Sequence, residues 1–233
     1  MKNIFVFFHV GADISLPTML AKSISETNPE SLIIQCSDKH TPKIEQATEI
    51  EIFEGDPSNL MTYRISAFSK LKIDQPAIYL DTDMLVMKKL DIKNILGTYD
   101  VKLCQREFDT KNLHSGTQRG IYFPEHLGIP IGKVYPYVAC ATISKNYVFW
   151  EELESIIQKL DQRFHKWYGD QEAMRIWIEK QSTLCYSFLS ESKYACLPER
   201  INQLKDVNIL HFKGGVRKKL MLDLFNNIFL KIK

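Results

Sequence analysis

Two aspartates that follow an apolar run are the strongest chemical signal in this sequence. The run Ala77-Ile78-Tyr79-Leu80 leads directly into Asp81-Thr82-Asp83. Side chains alternate along a strand, so Asp81 and Asp83 would point to the same side at its end. Because buried carboxylates are costly unless another charge compensates them, the pattern indicates a divalent-cation site. A pair of solvated turn aspartates is an equally frequent explanation of so short a motif.

A second signal lies in the segment 207–219, where an apolar strand carries His211 into a basic turn with two glycines. Glycines let a backbone approach a ligand closely, and cations neutralise phosphate. The amides at the start of the helix that follows add positive potential. The segment predicts a diphosphate clamp, with a core histidine and a solvated helix start as the alternatives.

Two further positions stand at informative places. Arg64 lies in a predicted helix just before the aspartate strand, and Asp170-Gln171 opens another predicted helix. A surface charge and a helix N-cap are the ordinary explanations for Arg64 and Asp170.

The elements that must position these residues alternate between strand and helix in the first half of the chain. This order predicts an α/β fold, with a mostly parallel sheet and helices on both faces. In such sheets ligands bind beyond the carboxyl ends of strands, so Val10, Gly11 and Asp13 form a candidate binding turn. The predicted strands are 4–10, 32–36, 49–53, 77–80, 135–143 and 207–212, and the predicted helices are 15–27, 58–71, 146–160, 170–180 and 217–231.

The segment 105–133 has no hydrophobic period and is rich in Gly, His, Asp and Pro. Long irregular segments in compact domains commonly serve binding, so we expect a loop or lid that holds an acceptor.

Composition limits the functional class. The 233 residues include 30 Lys and Arg against 28 Asp and Glu, a formal net charge of +2 that does not argue for nucleic-acid binding. The five cysteines form no C-x-x-C pair, which favours reduced thiols in the cytoplasm.

The first apolar run is interrupted by His9 and lacks a cleavage pattern, so we expect a strand rather than a signal peptide. The sequence contains no run of about 18 consecutive apolar residues, so no transmembrane helix is predicted.

We expect one catalytic-type domain over 1–215 and a basic amphipathic helix over 216–233. The composition of this helix is typical of contact with an anionic membrane, here the inner face of the cytoplasmic membrane, and docking on the core is equally compatible with it. Its apolar stripe consists of Val216, Leu220, Leu224 and Ile228, with Met221, Phe225, Phe229 and Ile232 beside it and Arg217, Lys218, Lys219, Lys231 and Lys233 flanking it.

The order of these motifs resembles that of glycosyltransferase family 8, the retaining GT-A enzymes that include bacterial lipooligosaccharide galactosyltransferases. The resemblance rests on Arg64, Leu80-Asp81-Thr82-Asp83, Gly169-Asp170-Gln171 and Leu210-His211-Phe212-Lys213-Gly214. It implies that Asp81, Asp83 and His211 bind Mn²⁺, with Mg²⁺ as the alternative ion, and that the ion bridges the diphosphate of a UDP-sugar. It places Gln171, with Asp170, near the reacting sugar carbon. The predicted contacts to the UDP-sugar are Val10, Gly11, Asp13, Arg64, Thr82, Gly214, Arg217 and Lys218.

The sequence departs from the family pattern in three places, one of which is the absence of the usual Pro-Trp after the basic turn. The usual Phe-Asn-Ala-Gly segment is Val138-Ala139-Cys140-Ala141, which lacks the asparagine that would contact the sugar. The lysine expected six residues after the histidine is Arg217, with Lys218 next to it.

The predicted function is transfer of a hexose from a UDP-sugar to a cell-surface glycan such as lipopolysaccharide, with retention and without a nucleic-acid partner. One alternative is a phosphohydrolase of the haloacid-dehalogenase type with Asp81 as its nucleophile. Another is a non-catalytic module that binds a nucleotide-sugar.

Overall fold

Buried strands at the N-terminus form the middle of a large sheet. A computed structural model describes residues 2–180, 183–203 and 206–230. Every side chain of the first strand, Ile4–Phe8, is buried, as expected for a strand covered on both faces. The strands are β1 Ile4–Phe8, β2 Leu32–Ser37, β3 Glu49–Ile52, β4 Ala77–Leu80, β5 Met84–Val86, β6 Val101–Gln105, β7 Thr117–Gln118, β8 Ile121–Tyr122, β9 Tyr137–Ser144, β10 Tyr186–Ser190 and β11 Ile209–His211.

Helices follow most of these strands. They are α1 Ser15–Thr27, α2 Leu60–Lys70, α3 Ile92–Leu96, α4 Ile131–Val134, α5 Val148–Ile157, α6 Gln162–Lys166, α7 Gly169–Glu179, α8 Glu191–Tyr194 and α9 Gly215–Phe225. Short 3₁₀ turns occupy Pro57–Asn59, Pro124–His126 and Pro198–Gln203, and a π-helical turn at Asn226–Leu230 continues α9.

The main sheet has seven strands in the order β10-β6-β9-β4-β1-β2-β3. All of them run in the same direction except β9, which is antiparallel to both β4 and β6. A second sheet pairs β5 with β11, and a third is the hairpin of β7 and β8. The carboxyl ends of β1, β4 and β6 therefore meet at one edge, where β9 begins.

Helices cover both faces of the main sheet. On one face α2, α5 and α7 pack through buried residues such as Ile65, Phe149 and Trp177. On the other face α1 and α3 pack through Leu20 and Leu96. The prediction of a mostly parallel α/β sheet between two helical layers is confirmed.

Several elements differ from the sequence-based prediction. Helix α1 and strand β4 have the predicted bounds, whereas β1 ends at Phe8 rather than at residue 10. Strands β5, β6 and β10, which are three to five residues long, were not predicted. Most of the segment 105–133 is irregular, as expected, but it contains the β7–β8 hairpin and the start of α4.

Helix α9 packs on the body of the protein through one side only. Met221 and Phe225 are buried in a cluster with Leu85 and Phe212. Val216 and Leu222, by contrast, are 80% and 53% exposed. Of the predicted helix residues, Lys231, Ile232 and Lys233 lie outside the described part of the chain. No helix among the described residues is long and apolar enough to cross a membrane.

Candidate active site

The edge formed by β1 and β4 carries the first of the predicted site residues. Asp81 is the residue after β4, and its backbone N–H donates a hydrogen bond of 2.9 Å to the carbonyl oxygen of Cys140 on β9. Because β1 and β4 are parallel neighbours, the turn after β1 lies beside the turn that contains Asp81. The two candidate binding turns therefore share one edge of the sheet.

The small sheet explains how His211 reaches Asp83. The chain turns at Asp83 into β5, and β5 pairs antiparallel with β11 so that His211 lies opposite Met84. The backbone N–H of Phe212 then donates to the carbonyl oxygen of Asp83 at 2.8 Å. This register places His211 Nε2 3.5 Å from Asp83 Oδ1. Two motifs more than a hundred residues apart are thus joined by backbone pairing.

Asp81, Asp83 and His211 can offer three ligand atoms that all lie within 4.8 Å of one another. Two carboxylate oxygens and one imidazole nitrogen form a donor set that suits Mn²⁺ better than Mg²⁺, which prefers oxygen and water. His211 Nδ1 is buried without a hydrogen-bond partner, and Nε2 faces Asp83. The residues present therefore fit a divalent cation.

Electrostatics at Asp83 favour its ionised form. Burial opposes the charge, but the hydrogen bond to His211 and the nearby ammonium of Lys218 outweigh it and hold the pKa of Asp83 well below its ordinary value. Burial likewise opposes the charge of His211, yet its contact with Asp83 contributes to raising the pKa of His211. A cation bound at Asp83 would displace the proton from this imidazole.

Arg64 connects two acids of the site. Its guanidinium donates to Asp81 Oδ1 at 2.5 Å and also to Asp170 Oδ2. For Asp81, burial is the largest influence and raises the pKa, while the charge of Arg64 acts in the opposite direction. Arg64 lies on α2 and Asp170 on α7, so this bridge ties both helices to the end of β4.

The start of α7 is shaped by a glycine. A β-carbon at Gly169 would lie 2.1 Å from the backbone oxygen of Phe164, so only glycine allows this close approach. The turn places Asp170 in the buried first turn of α7. Both oxygens of Asp170 are engaged, since Oδ1 accepts from the backbone N–H of Gln171 at 2.7 Å and Oδ2 accepts from Arg64.

Arg106 is a site residue that the sequence analysis missed. It follows β6 at the same sheet edge and donates to Gln171 Oε1 at 2.8 Å and to the carbonyl oxygen of Tyr135 at 2.7 Å. Recognising β6 as a strand would have placed Arg106 at the carboxyl edge and made it a candidate. The hydrogen bond links the long segment after β6 to Gln171.

The glycine turn before α9 presents an open backbone. Gly214 has a φ of +87°, a conformation that favours glycine, and a β-carbon there or at Gly215 would meet no atom within 4 Å. A ligand can therefore approach the backbone closely at these two glycines, and the start of a helix is a position suited to phosphate. The roles predicted for Gly214 and its basic neighbours stay predictions.

The two basic residues after this turn point in different directions. Arg217 forms an ion pair with Glu199, with Nε 3.1 Å from the carboxylate. Lys218 Nζ instead lies 3.0 Å from Asp83 Oδ2. The structure thus brings Lys218 to the aspartate cluster and turns Arg217 away from it.

The remaining predicted contacts lie around the same edge. Gly11 donates its backbone N–H to Thr41 Oγ1 at 2.8 Å, and Asp13 accepts from the backbone N–H of Ser15 at 3.0 Å. Val10 is half-buried, and Thr82 lies half-buried between the two aspartates. Asp13 therefore has a local role at the start of α1, and binding roles for these four residues stay predictions.

A cavity of about 340 Å³ lies between the long segment and α7. His126, Lys133 and Tyr137 line one side of it, and Arg175 and Ile178 line the other. Arg175 is one helical turn beyond Gln171 on α7, so the cavity continues along the helix that carries Gln171.

The fold is similar to those of solved glycosyltransferase structures, although no match was found by sequence. No protein-family profile matches the chain, and no curated protein matches it. Among solved structures, the chain is similar to the glycosyltransferase GlyE of Streptococcus pneumoniae TIGR4, with 14% identity, a TM-score of 0.61, and coverage of 99% of this chain and 64% of that chain. This chain therefore spans less than two thirds of the length of GlyE.

Two other solved structures match over nearly their whole length. The galactosyltransferase LgtC, solved with donor and acceptor sugar analogues, is 13% identical with a TM-score of 0.57, covering 97% of this chain and 96% of that one. A glycosyltransferase involved in glycosylation of the major capsid of PBCV-1 is 10% identical with a TM-score of 0.61, covering 96% and 100%. The chain has a GT-A-like fold.

Proposed function

We propose that this protein is a metal-dependent glycosyltransferase that moves a hexose from a UDP-sugar to a glycan or glycolipid acceptor, such as lipopolysaccharide, with retention of configuration. The observation that carries the proposal is the cluster of Asp81, Asp83 and His211, with ligand atoms within 4.8 Å, at the carboxyl edge of the sheet. Structural similarity to glycosyltransferases, one of them a galactosyltransferase, supports it. Membership of glycosyltransferase family 8 is part of the proposal.

Asp81, Asp83 and His211 would hold Mn²⁺, with Mg²⁺ as the weaker alternative. A bound divalent ion supplies charge neutralisation for a departing diphosphate. The chain adds its own positive groups nearby, since Lys218 lies at Asp83 and α9 begins at Gly215, beside a glycine turn where even a β-carbon would meet no other atom. These groups would bind the diphosphate and stabilise it as it leaves.

The residues on α7 favour attack by the acceptor on the same face that the diphosphate leaves. A covalent mechanism needs a carboxylate nucleophile, but Asp170 is paired with Arg64 and accepts from the backbone N–H of Gln171, and both contacts weaken it as a nucleophile. Arg106 carries only donors, so the atom of Gln171 that it contacts must be the amide oxygen. The amide N–H₂ group of Gln171 is then left to donate to the sugar or the acceptor.

The cavity beside α7 is the proposed acceptor site. Its lining combines the charged side chains of Lys133, Arg175 and Glu179 with Tyr137 and Ile178, a mixture of polar and apolar surface suited to a sugar. We further propose peripheral contact of α9 with the inner face of the cytoplasmic membrane. The exposed Val216, Leu220 and Leu222, together with Lys219, support this proposal.

The test is a panel of nucleotide-sugars incubated with the full chain and Mn²⁺, with release of free nucleotide as the readout. We expect slow, metal-dependent hydrolysis of one UDP-sugar. The loss should be at least about a hundredfold in Asp83→Asn and His211→Gln, because the first removes the negative charge of a metal ligand and the second removes its imidazole nitrogen. Lys72→Met, two residues after the end of α2, is the surface control, since Lys72 is exposed and pairs with the exposed Glu151.

Two results would contradict this function. Release of phosphate from simple esters without nucleotide-sugar turnover would support the phosphohydrolase alternative with Asp81 as nucleophile. Binding of UDP with Mn²⁺ but no hydrolysis or transfer would support a non-catalytic binding module.

A further inference from the structure

Lys218 is placed where it contacts a ligand of the proposed metal site. Its Nζ lies 3.0 Å from Asp83 Oδ2, and its side chain is 35% exposed. The other carboxylate of the motif, Asp81, is paired with Arg64, which also holds Asp170 and is largely buried. Lys218 is therefore the more exposed cation of the cluster, held by one acid, and Arg64 is the more buried one, held by two.

An ammonium group and a divalent ion would compete for Asp83. A metal ion binds carboxylate oxygens at about 2.0–2.6 Å, closer than the Lys218 contact, and two cations on one carboxylate repel each other strongly in a partly buried site. Asp83 is buried, so this repulsion is weakly screened. Lys218 must move away for a metal ion to bind with full affinity.

A second anion within reach would let Lys218 move without losing its partner. Lysine carries its charge on a flexible four-carbon stem. Lys218 is in the first turn of α9, next to the open backbone at Gly214 and Gly215. A diphosphate bound there would attract the ammonium away from Asp83.

We propose that Lys218 is a competing cation that weakens metal binding until a nucleotide diphosphate is present, and so couples the binding of the two ligands. The inference rests on the proposed function, because it takes Asp83 as a metal ligand. In this arrangement the bare metal ion binds weakly, and ion and nucleotide bind well only together. Lys218 is a positioning residue for metal loading.

The basic residues near Lys218 have other partners than Asp83. Arg217 is paired with Glu199, and Lys213 Nζ lies 3.8 Å from the buried Glu191. Lys219 is exposed and follows Lys218 directly on α9, so Lys219→Met removes the same charge from the neighbouring position, whose side chain points in a different direction. That variant is the matched control for long-range electrostatics.

The experiment measures binding of Mn²⁺ alone to the full chain by the loss of the free-ion EPR signal, and then binding of UDP at saturating Mn²⁺. We expect Lys218→Met to bind Mn²⁺ about tenfold more tightly than the unchanged protein, and UDP about tenfold more weakly, within the usual range of coupling between sites. Lys219→Met should alter neither affinity, and Lys218→Arg should keep the weak Mn²⁺ affinity. Asp83→Asn should weaken Mn²⁺ binding by at least about tenfold, because it removes the charge of one ligand.

In Lys218→Met the affinity for Mn²⁺ should rise while the affinity for UDP falls. This combination distinguishes the proposal from a purely structural role of Lys218, whose loss would lower both affinities. Equal Mn²⁺ affinity in Lys218→Met and in the unchanged protein would overturn the inference while leaving the proposed function intact. Tighter Mn²⁺ binding in Lys219→Met by the same factor would also overturn it. Failure of every variant and of the unchanged protein to bind Mn²⁺, with or without UDP, would overturn the metal-dependent function itself.

Discussion

Individual side chains at the site are arranged so that each acid has a defined partner. Asp81 is paired with Arg64, Asp83 with His211 and Lys218, and Asp170 with Arg64. Paired charges tolerate burial that isolated ones do not. These contacts leave the amide N–H₂ group of Gln171, oriented by Arg106, able to donate to a ligand.

The orientation of Gln171 gives a prediction about Arg106. In Arg106→Met the amide of Gln171 loses its fixed partner and can rotate, so we expect turnover of the donor to fall about tenfold or more. The affinity for UDP with Mn²⁺ should stay within about twofold, because Arg106 makes no contact with the aspartate cluster. Steady-state kinetics and a UDP titration measure the two effects separately.

A double-substitution cycle shows whether Arg106 acts through Gln171. If it does, Arg106→Met combined with Gln171→Leu will lose no more turnover than Gln171→Leu alone. Additive losses would mean that Arg106 acts by another route, such as its hydrogen bond to Tyr135.

Short elements build the site, and longer ones support it. The three-residue strands β5 and β11 set the register that brings His211 to Asp83, and the backbone of Phe212 completes the pairing. Helix α9 continues from the same segment and packs against it through Met221 and Phe225. The packing of α9 therefore holds the glycine turn and Lys218 in place.

Truncation of Met221 measures how strongly α9 is docked. Met221→Ala removes a fully buried side chain from the cluster that contains Phe212, so we expect the free energy of unfolding to fall by about 2–5 kcal/mol. Leu222→Ala, one position further along, should change it by no more than about 0.5 kcal/mol because Leu222 is exposed. Urea-induced unfolding of the two variants provides the comparison, and similar losses would show that α9 does not dock as described.

The molecule as a whole brings distant parts of the chain to one edge. Candidate residues from the turn after β1, from α2, from the ends of β4 and β6, and from α7 and α9 all face the carboxyl side of the main sheet or the small sheet beside it. A ligand that contacts several of these segments binds the folded chain and not the unfolded one, so it stabilises the whole protein.

Thermal unfolding tests whether these segments form one ligand-binding site. UDP and Mn²⁺ together, at about a hundredfold excess over their dissociation constants, should stabilise the fold by about 2.7 kcal/mol. For a chain of this size that corresponds to an increase of roughly 5–10 °C in Tm. Uridine with Mn²⁺ should give a much smaller shift because it lacks the diphosphate, and an undiminished shift in Asp83→Asn would contradict the placement of the site.

Much of the architecture is readable from local pattern. The apolar runs of β1, β2 and β4 and the spacing of α1 and α2 predict a parallel α/β sheet, because buried strands and amphipathic helices have distinct periods. The aspartates after β4 and the histidine before the glycine turn stand out for the same local reason, as charged groups at the ends of apolar strands. Short strands such as β5 and β6 escaped prediction, since their pairing partners lie far away in sequence.

The sequence by itself determined which residue types are available for chemistry and at which ends of strands and helices they stand. Only the tertiary structure decided which of them meet. It turned Lys218 rather than Arg217 toward Asp83, joined Arg64 to Asp170, and brought Arg106 to Gln171. The physical reason is that these contacts depend on strand register and on the rotation of each helix against the sheet, which are set by packing across the whole chain and not by local periodicity.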